Sequence, residues 1–277
     1  MATRDDESIF RREGALYRPT ANAPGPWAAD KLHGGPVLGL LARAIEAAVP
    51  EPELSLARLT VDMFRPVPAA PLGVRTTVLR QGSRLKMLEA ALLVDDVEHV
   101  RASALFLREG EASPDVGSWQ AGAATAHPVG PDGLPTEGLM RGFPGRPSDF
   151  PKGFHTRAET RWVPRSAAEP LAIWFRLPVP LVEGEVDTPL VRALALSDFA
   201  NAVASIAAHA RDPKTPPYIN ADATLYLHRR PQGEWFCIQE QGADAVRGIS
   251  VTQSTMYDER GPFGRALQAR LTNSYQR

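Results

Sequence analysis

The chain is 277 residues long, enough for one large domain or two ordinary ones, and its 43% hydrophobic and 23% charged residues can build a sizeable core. A formal net charge of −1 supplies no field that would draw nucleic acid or an anionic membrane, so neither is expected as a partner. The single cysteine, Cys237, rules out an intrachain disulfide and reads as a buried strand residue rather than a nucleophile.

The first thirteen residues mix charges of both signs and read as a solvated N-terminus without the layout of a signal peptide. No run approaches the roughly 20 apolar residues of a membrane span, and a cytoplasmic location is expected. Leu32-His33-Gly34-Gly35-Pro36 then leads into a helix. Val37, Leu38, Leu40, Leu41, Ala44, Ile45, Ala48 and Val49 recur at helical spacing, with Arg43 and Glu46 on the wet side. Pro36 is tolerated in the first turn, and Pro50 and Pro52 stop the helix. Four strand-like segments follow, Leu54 to Phe64, Gly73 to Gln81, Leu85 to Val94 and Glu98 to Leu107, with a tight reversal at Asp95-Asp96. A long helix followed by antiparallel strands suggests a helix wrapped by a curved sheet.

From about Glu109 to Pro151 the composition shifts to Gly, Ala, Pro and Ser, too long a stretch for an ordinary connection. It reads as an interdomain linker pinned in part by Trp119. The second half repeats the first: strands at Phe154 to Val163 and Leu171 to Leu177, a helix from Pro189 to Ala208, then strands at Tyr218 to Arg229, Glu234 to Gly242, Val246 to Tyr257 and Gly264 to Asn273. Met63-Phe64-Arg65-Pro66 is echoed by Leu227-His228-Arg229-Arg230-Pro231. Such an echo implies two copies of one unit packed as a pseudo-dimer.

The order PWAADKLHGGPVLG, Phe64-Arg65-Pro66, Leu196-Ser197-Asp198-Phe199, His228-Arg229 and Leu267-Gln268 resembles the acyl-CoA thioesterase II family of the double hot-dog group. The resemblance implies an α+β fold, with two long helices each wrapped by a curved antiparallel sheet. The domains would be residues 1–110, a linker at 111–150, and residues 151–277. It also implies hydrolysis of fatty acyl-CoA by a water held by an Asp, a Thr or Ser, and a Gln. Carried over, the Asp is Asp198 and the Gln is Gln268. The hydroxyl position falls on Asn220, a departure that leaves three readings: Asn220 serves, Thr224 serves after a local shift, or the site is partly degraded. Asn220 is preferred, because Asn both donates to and accepts from water. Period-two alternation would put Asn220, Asp222 and Thr224 on one side.

Asp198 lies in an apolar helix, where a carboxylate needs partners and where burial would raise its pKa towards that of a general base. The bland reading is an exposed helix residue, and for Gln268 a solvent-facing one. Gly34 and Gly35 open a helix whose free N–H groups could form an oxyanion site facing Asp198, or they are simply a turn. His33 contacts the thioester or a phosphate, or caps and packs. Arg65, Arg229 and Arg230 meet the CoA phosphates or are solvated strand ends. No Gly-x-Ser-x-Gly elbow or phosphate-binding loop occurs, and the scattered His33, His99, His127, His155, His209 and His228 argue against zinc. No cofactor is expected, since water is the second substrate. Tandem pairs of this kind commonly associate further, which leaves a homo-oligomer open. Two other readings compete: an acyl-CoA hydratase or dehydratase, for which His33 lacks a neighbouring acid, and a non-catalytic acyl-CoA or lipid-binding protein.

Overall fold

The structure, a computed structural model, describes residues 8–110, 127–143, 151–166 and 169–273. Most of the expected linker, including Trp119, lies outside these residues. Residues 1–7 of the expected solvated N-terminus lie outside these residues too, and from Ser8 on the structure corrects that expectation. Strands β1 (Phe10–Glu13) and β2 (Leu16–Pro19) form a hairpin, with Ile9 and Phe10 fully buried and Phe10 bridged to Val182 of the second half. Charges at Arg11, Arg12 and Glu13 masked this short apolar anchor.

Helix α1 (Gly34–Ala47) buries the stripe its spacing promised, from Val37 through Ile45. Strands β3 (Leu54–Met63), β4 (Gly73–Gln81), β5 (Leu85–Val94) and β6 (Val97–Arg108) follow, joined at the β5–β6 turn by Asp95 and Asp96 in the left-handed region. In the second half, Phe154 to Val163 is not a continuous strand. Its first residues form the single turn α2 (Phe154–Arg157), which buries Phe154 and His155, and only β7 (Glu159–Trp162) is extended. After β8 (Ala172–Arg176) comes the expected long helix, interrupted for the single residue Asp198, whose backbone stays helical, between α3 (Pro189–Ser197) and α4 (Phe199–Arg211). By length and mean hydropathy of 1.4 the stretch Pro189–Arg211 would suit a membrane span, yet 72% of its most apolar window is buried inside the protein, as a core helix requires. Strands β9 (Tyr218–Asn220), β10 (Asp222–Leu227), β11 (Phe236–Val246), β12 (Ile249–Asp258) and β13 (Gly261–Thr272) complete the chain.

One antiparallel sheet runs through both halves in the order β4-β5-β6-β3-β10-β13-β12-β11-β8-β7, with β9 also on β13. The join is β3 with β10, where Thr60 faces Thr224 at a sequence separation of 164. The same shift of 164 carries the first ladder onto the second. Ala90↔Ala102 maps to Ser254↔Ala266, Leu88↔Ala104 to Thr252↔Gln268, and the bulge at Ala57 to the one at Ala221. A pseudo-twofold axis therefore passes between Thr60 and Thr224. Pairing the two units end to end removes an exposed edge from each. The helices cross tightly at Gly39, where an added Cβ would lie 3.1 Å from that of Ala195. Arg43 of α1 completes the join with a bidentate pair to Glu185 at 2.5 and 2.6 Å.

Candidate functional site

The junction of α3 and α4 places Asp198 at the meeting point of the two units, 7% exposed, against the opening turn of α1. Three donors converge on its carboxylate. Asn220 Nδ2 donates to Oδ1 at 2.9 Å, and His33 Nδ1 lies 2.9 Å from Oδ2. The third is the Gly35 N–H, which also lies 3.0 Å from His33 Nδ1. One ring nitrogen cannot both donate and accept, so a proton on Nδ1 directed at Asp198 leaves the Gly35 amide for the carboxylate. The glycines are required by space. A Cβ at Gly34 would sit 2.6 Å from Asp198 Oδ1, and one at Gly35 2.6 Å from the Ala195 carbonyl.

Burial was expected to raise the Asp198 pKa, and the structure corrects this. Desolvation does push it up, but the bonds and charge of His33, then Asn220 and the Gly35 amide, outweigh it and hold the carboxyl below its ordinary value. Around this pair the rings are packed: His33 lies 5.1 Å from both Phe154 and Phe199, and Phe175 stacks on Phe199 at 4.8 Å. His155 stacks on His33 at 6.4 Å, and neither ring nitrogen makes a well-formed hydrogen bond among the described residues. Burial, then the proximity of His33, lowers its pKa to about 4, against a weaker pull from the Pro151 backbone.

Gln268 is 1% exposed, on the inner face of β13, and neither of its amide atoms has a partner among the described residues. Asn220 and Arg270 are direct partners across β9 and β13, so Asn220 shares that face. Thr224 does not share it. The extra residue at Ala221 breaks the alternation, and Thr224 points to the other face with its hydroxyl 3.4 Å from that of Thr60. The shared-face expectation fails at this bulge, which single-sequence alternation cannot reveal. Two arginines offered for CoA phosphates are occupied: Arg229 clasps buried Asp258 at 2.6 and 2.7 Å, and Arg230 is held by Ser55 and Glu109. Arg65 is exposed. Cys237 is fully buried in a cluster with Trp174 and Tyr257, and burial pushes its thiol up, consistent with packing. Two cavities, of about 530 and 320 Å³, open under residues 135–142 and at the far end of α1, and neither is lined by Asp198, Asn220 or Gln268.

Sequence reading missed the His33–Asp198 pair. The available signal was a carboxylate in an apolar helix, which demands a cation or donors, and a histidine beside two glycines in the other unit.

The profile of the acyl-CoA thioesterase N-terminal domain matches residues 23–107, and that of the C-terminal domain matches residues 131–271. The chain belongs to this acyl-CoA thioesterase family. Among solved structures, this thioesterase-family chain is similar to an acyl-CoA thioesterase II from Mycobacterium marinum, at 19% identity and TM-score 0.64 over 95% of each chain. A hot-dog protein from Alicyclobacillus acidocaldarius gives 16% and 0.67 over 99% of each. The dehydratase domain of RzxB from Pseudomonas fluorescens gives 12% and 0.52, covering 98% of this chain and 91% of that one. At these identities the likenesses show the hot-dog fold alone. No curated protein sequence matches the chain.

Proposed function

We propose that this family member hydrolyses the thioester of an acyl-CoA with a water held by Asp198, Asn220 and Gln268. The observation that carries the reading is a buried carboxylate supported by three donors, one of which, Asn220, shares its sheet face with a glutamine that has no partner among the described residues. A carboxylate offers about four lone-pair directions, so three donors leave one for a water. Its lowered pKa makes Asp198 a weak base and a firm orienter, which accepts the water's proton only as the carbonyl is attacked. Gln268 can donate to one oxygen and accept from another, fixing the water's approach. With the Gly35 N–H committed to Asp198 and Pro36 lacking one, the opening turn of α1 leaves the Gly34 N–H for the developing oxyanion. Since Asp198 is covered, substrate must displace the rings around His33 to reach it.

One observation favours a second reading. A hydratase or dehydratase needs a histidine with an acid, and Asp198 supplies that acid from the other unit, 2.9 Å from His33. The deciding experiment incubates the protein with acyl-CoAs of several lengths, following thiol release and, separately, enoyl absorbance. Thiol release that falls at least ~100-fold in Asp198→Asn, the lower end of what a positioned acid or base contributes, supports hydrolysis. Hydration of an enoyl-CoA without thiol release supports the second reading, and binding without either reaction marks a carrier.

A further inference from the structure

The two units differ on the inner faces of their sheets. Under α1 the first is lined by Leu56, Leu88, Ala90, Ala104 and Phe106, with Lys86 at the rim tied to the Ala48 carbonyl and Glu51. Under α4 the equivalent positions, 164 residues on, are Asn220, Thr252, Ser254, Gln268 and Arg270. A duplicated core has exchanged apolar side chains for polar ones along one tract. Burying polar groups costs free energy unless each finds a partner. Here the Ser254 hydroxyl, both Gln268 amide atoms and the Arg270 Nε have none among the described residues.

Arg270 is the charged end of the tract. It is 2% exposed, with Nη1 on Asn201 Oδ1 at 3.3 Å and Ser205 Oγ at 3.2 Å, Nη2 on Ser250 Oγ at 2.9 Å, and the Tyr218 ring 5.0 Å away. All of these acceptors are neutral. The acid within its electrostatic reach, Glu240, is held by Arg211 through two bonds of 3.0 Å. Burial lowers the Arg270 pKa to about 10, which leaves it a cation at neutral pH without a bonded counter-charge. It stands beside the chemistry by two routes: opposite Asn220 across the strand, and against Asn201, one turn along α4 from Asp198.

We propose that Arg270 receives a carboxylate at the far end of the acyl group, so that the substrate class is short acyl-CoA with a second, terminal carboxylate. The assignment of the thioester end rests on the hydrolase reading above. Gln268 and Arg270 are two residues apart on one strand face, about 7 Å between Cα atoms, a span suited to a short chain. A guanidinium pairs a carboxylate through parallel N–H bonds, whereas an alkyl chain would leave the Arg270 charge without a counter-ion.

The test uses two thioether analogues that cannot be hydrolysed, S-(4-carboxybutyl)-CoA and S-pentyl-CoA, bound to the full chain in calorimetry. The carboxylate analogue is expected to bind at least tenfold more tightly, and Arg270→Met is expected to erase that preference. Equal or tighter binding of the alkyl analogue to the unaltered protein, binding of neither, or a preference that survives Arg270→Met overturns the proposal. If Arg270→Met does not fold, Arg270→Lys, which keeps the charge and loses the fork, should weaken the preference, and an undiminished one overturns the proposal. Thiol release from glutaryl-CoA is measured in parallel. A carboxylate preference without release leaves the Arg270 proposal standing and removes the hydrolase reading, and release without the preference does the reverse.

Discussion

Gln268 buries two polar amide atoms that bond to nothing among the described residues. A group held this way costs about 1–3 kcal/mol relative to an apolar residue of similar shape. Gln268→Leu is therefore expected to raise stability by about 1 kcal/mol while abolishing thiol release; denaturant unfolding and the thiol assay read the two effects, and a destabilised variant would show that the amide is satisfied in solution. His155 gives the pH dependence. Its ring titrates near 4 when folded against an ordinary 6.5, so the unfolded chain binds the extra proton between those values. Stability from this group is complete above pH 6.5 and declines as pH falls to 4, by up to about 3 kcal/mol. His155→Phe should flatten that slope in unfolding curves taken from pH 7 to pH 4, and an unchanged slope would assign it to other groups.

At the scale of elements, the opening turn of α1 is built around the absence of two side chains. Gly34→Ala puts a methyl where the Asp198 carboxylate lies, and overpacking of this kind costs about 1–3 kcal/mol. The variant should melt lower and lose most of its thiol release, with CoA thioester binding reduced less; full activity would place the reacting carboxylate elsewhere. This turn was also the most legible part of the sequence. The 3.6-residue stripe from Val37 onward, the glycines before it and the prolines after it state a helix start and stop in local chemistry. Strands β3 to β6 were legible for the same reason, each alternating between defined turns. What could not be read is non-local. The interruption at Asp198 leaves no mark in an apolar run, the Ala221 bulge shifts one residue without changing composition, and α2 is a single turn of Phe-His-Thr-Arg that alternates like a strand. Asp198, Asn220 and Gln268 were named through resemblance, whereas His33 opposite Asp198 depends on how two units dock.

For the molecule as a whole, the join at β3 and β10 makes each unit half of a continuous sheet. Residues 1–110 alone would expose the β3 edge and the face of α1 that packs on α3. That fragment should dimerise through β3 or aggregate, and a well-folded monomer in sedimentation at micromolar concentration would contradict the argument. The contrast between the inner faces predicts unequal resistance to opening. Amides of β5 and β6, over an apolar core, should exchange hydrogen more slowly than those of β12 and β13, over the polar tract. Mass spectrometry of exchange by segment reads the order directly.

Position 34 in one unit and position 198 in the other are the same place in the repeat, 164 residues apart, and they touch. Two identical subunits would have to put the same residue at both: a pair of carboxylates repelling each other in a dry contact, or a pair of glycines with nothing to hold a water. Only copies free to diverge within one polypeptide can set acid against hollow. Fusion thus permits a single lopsided centre astride the axis.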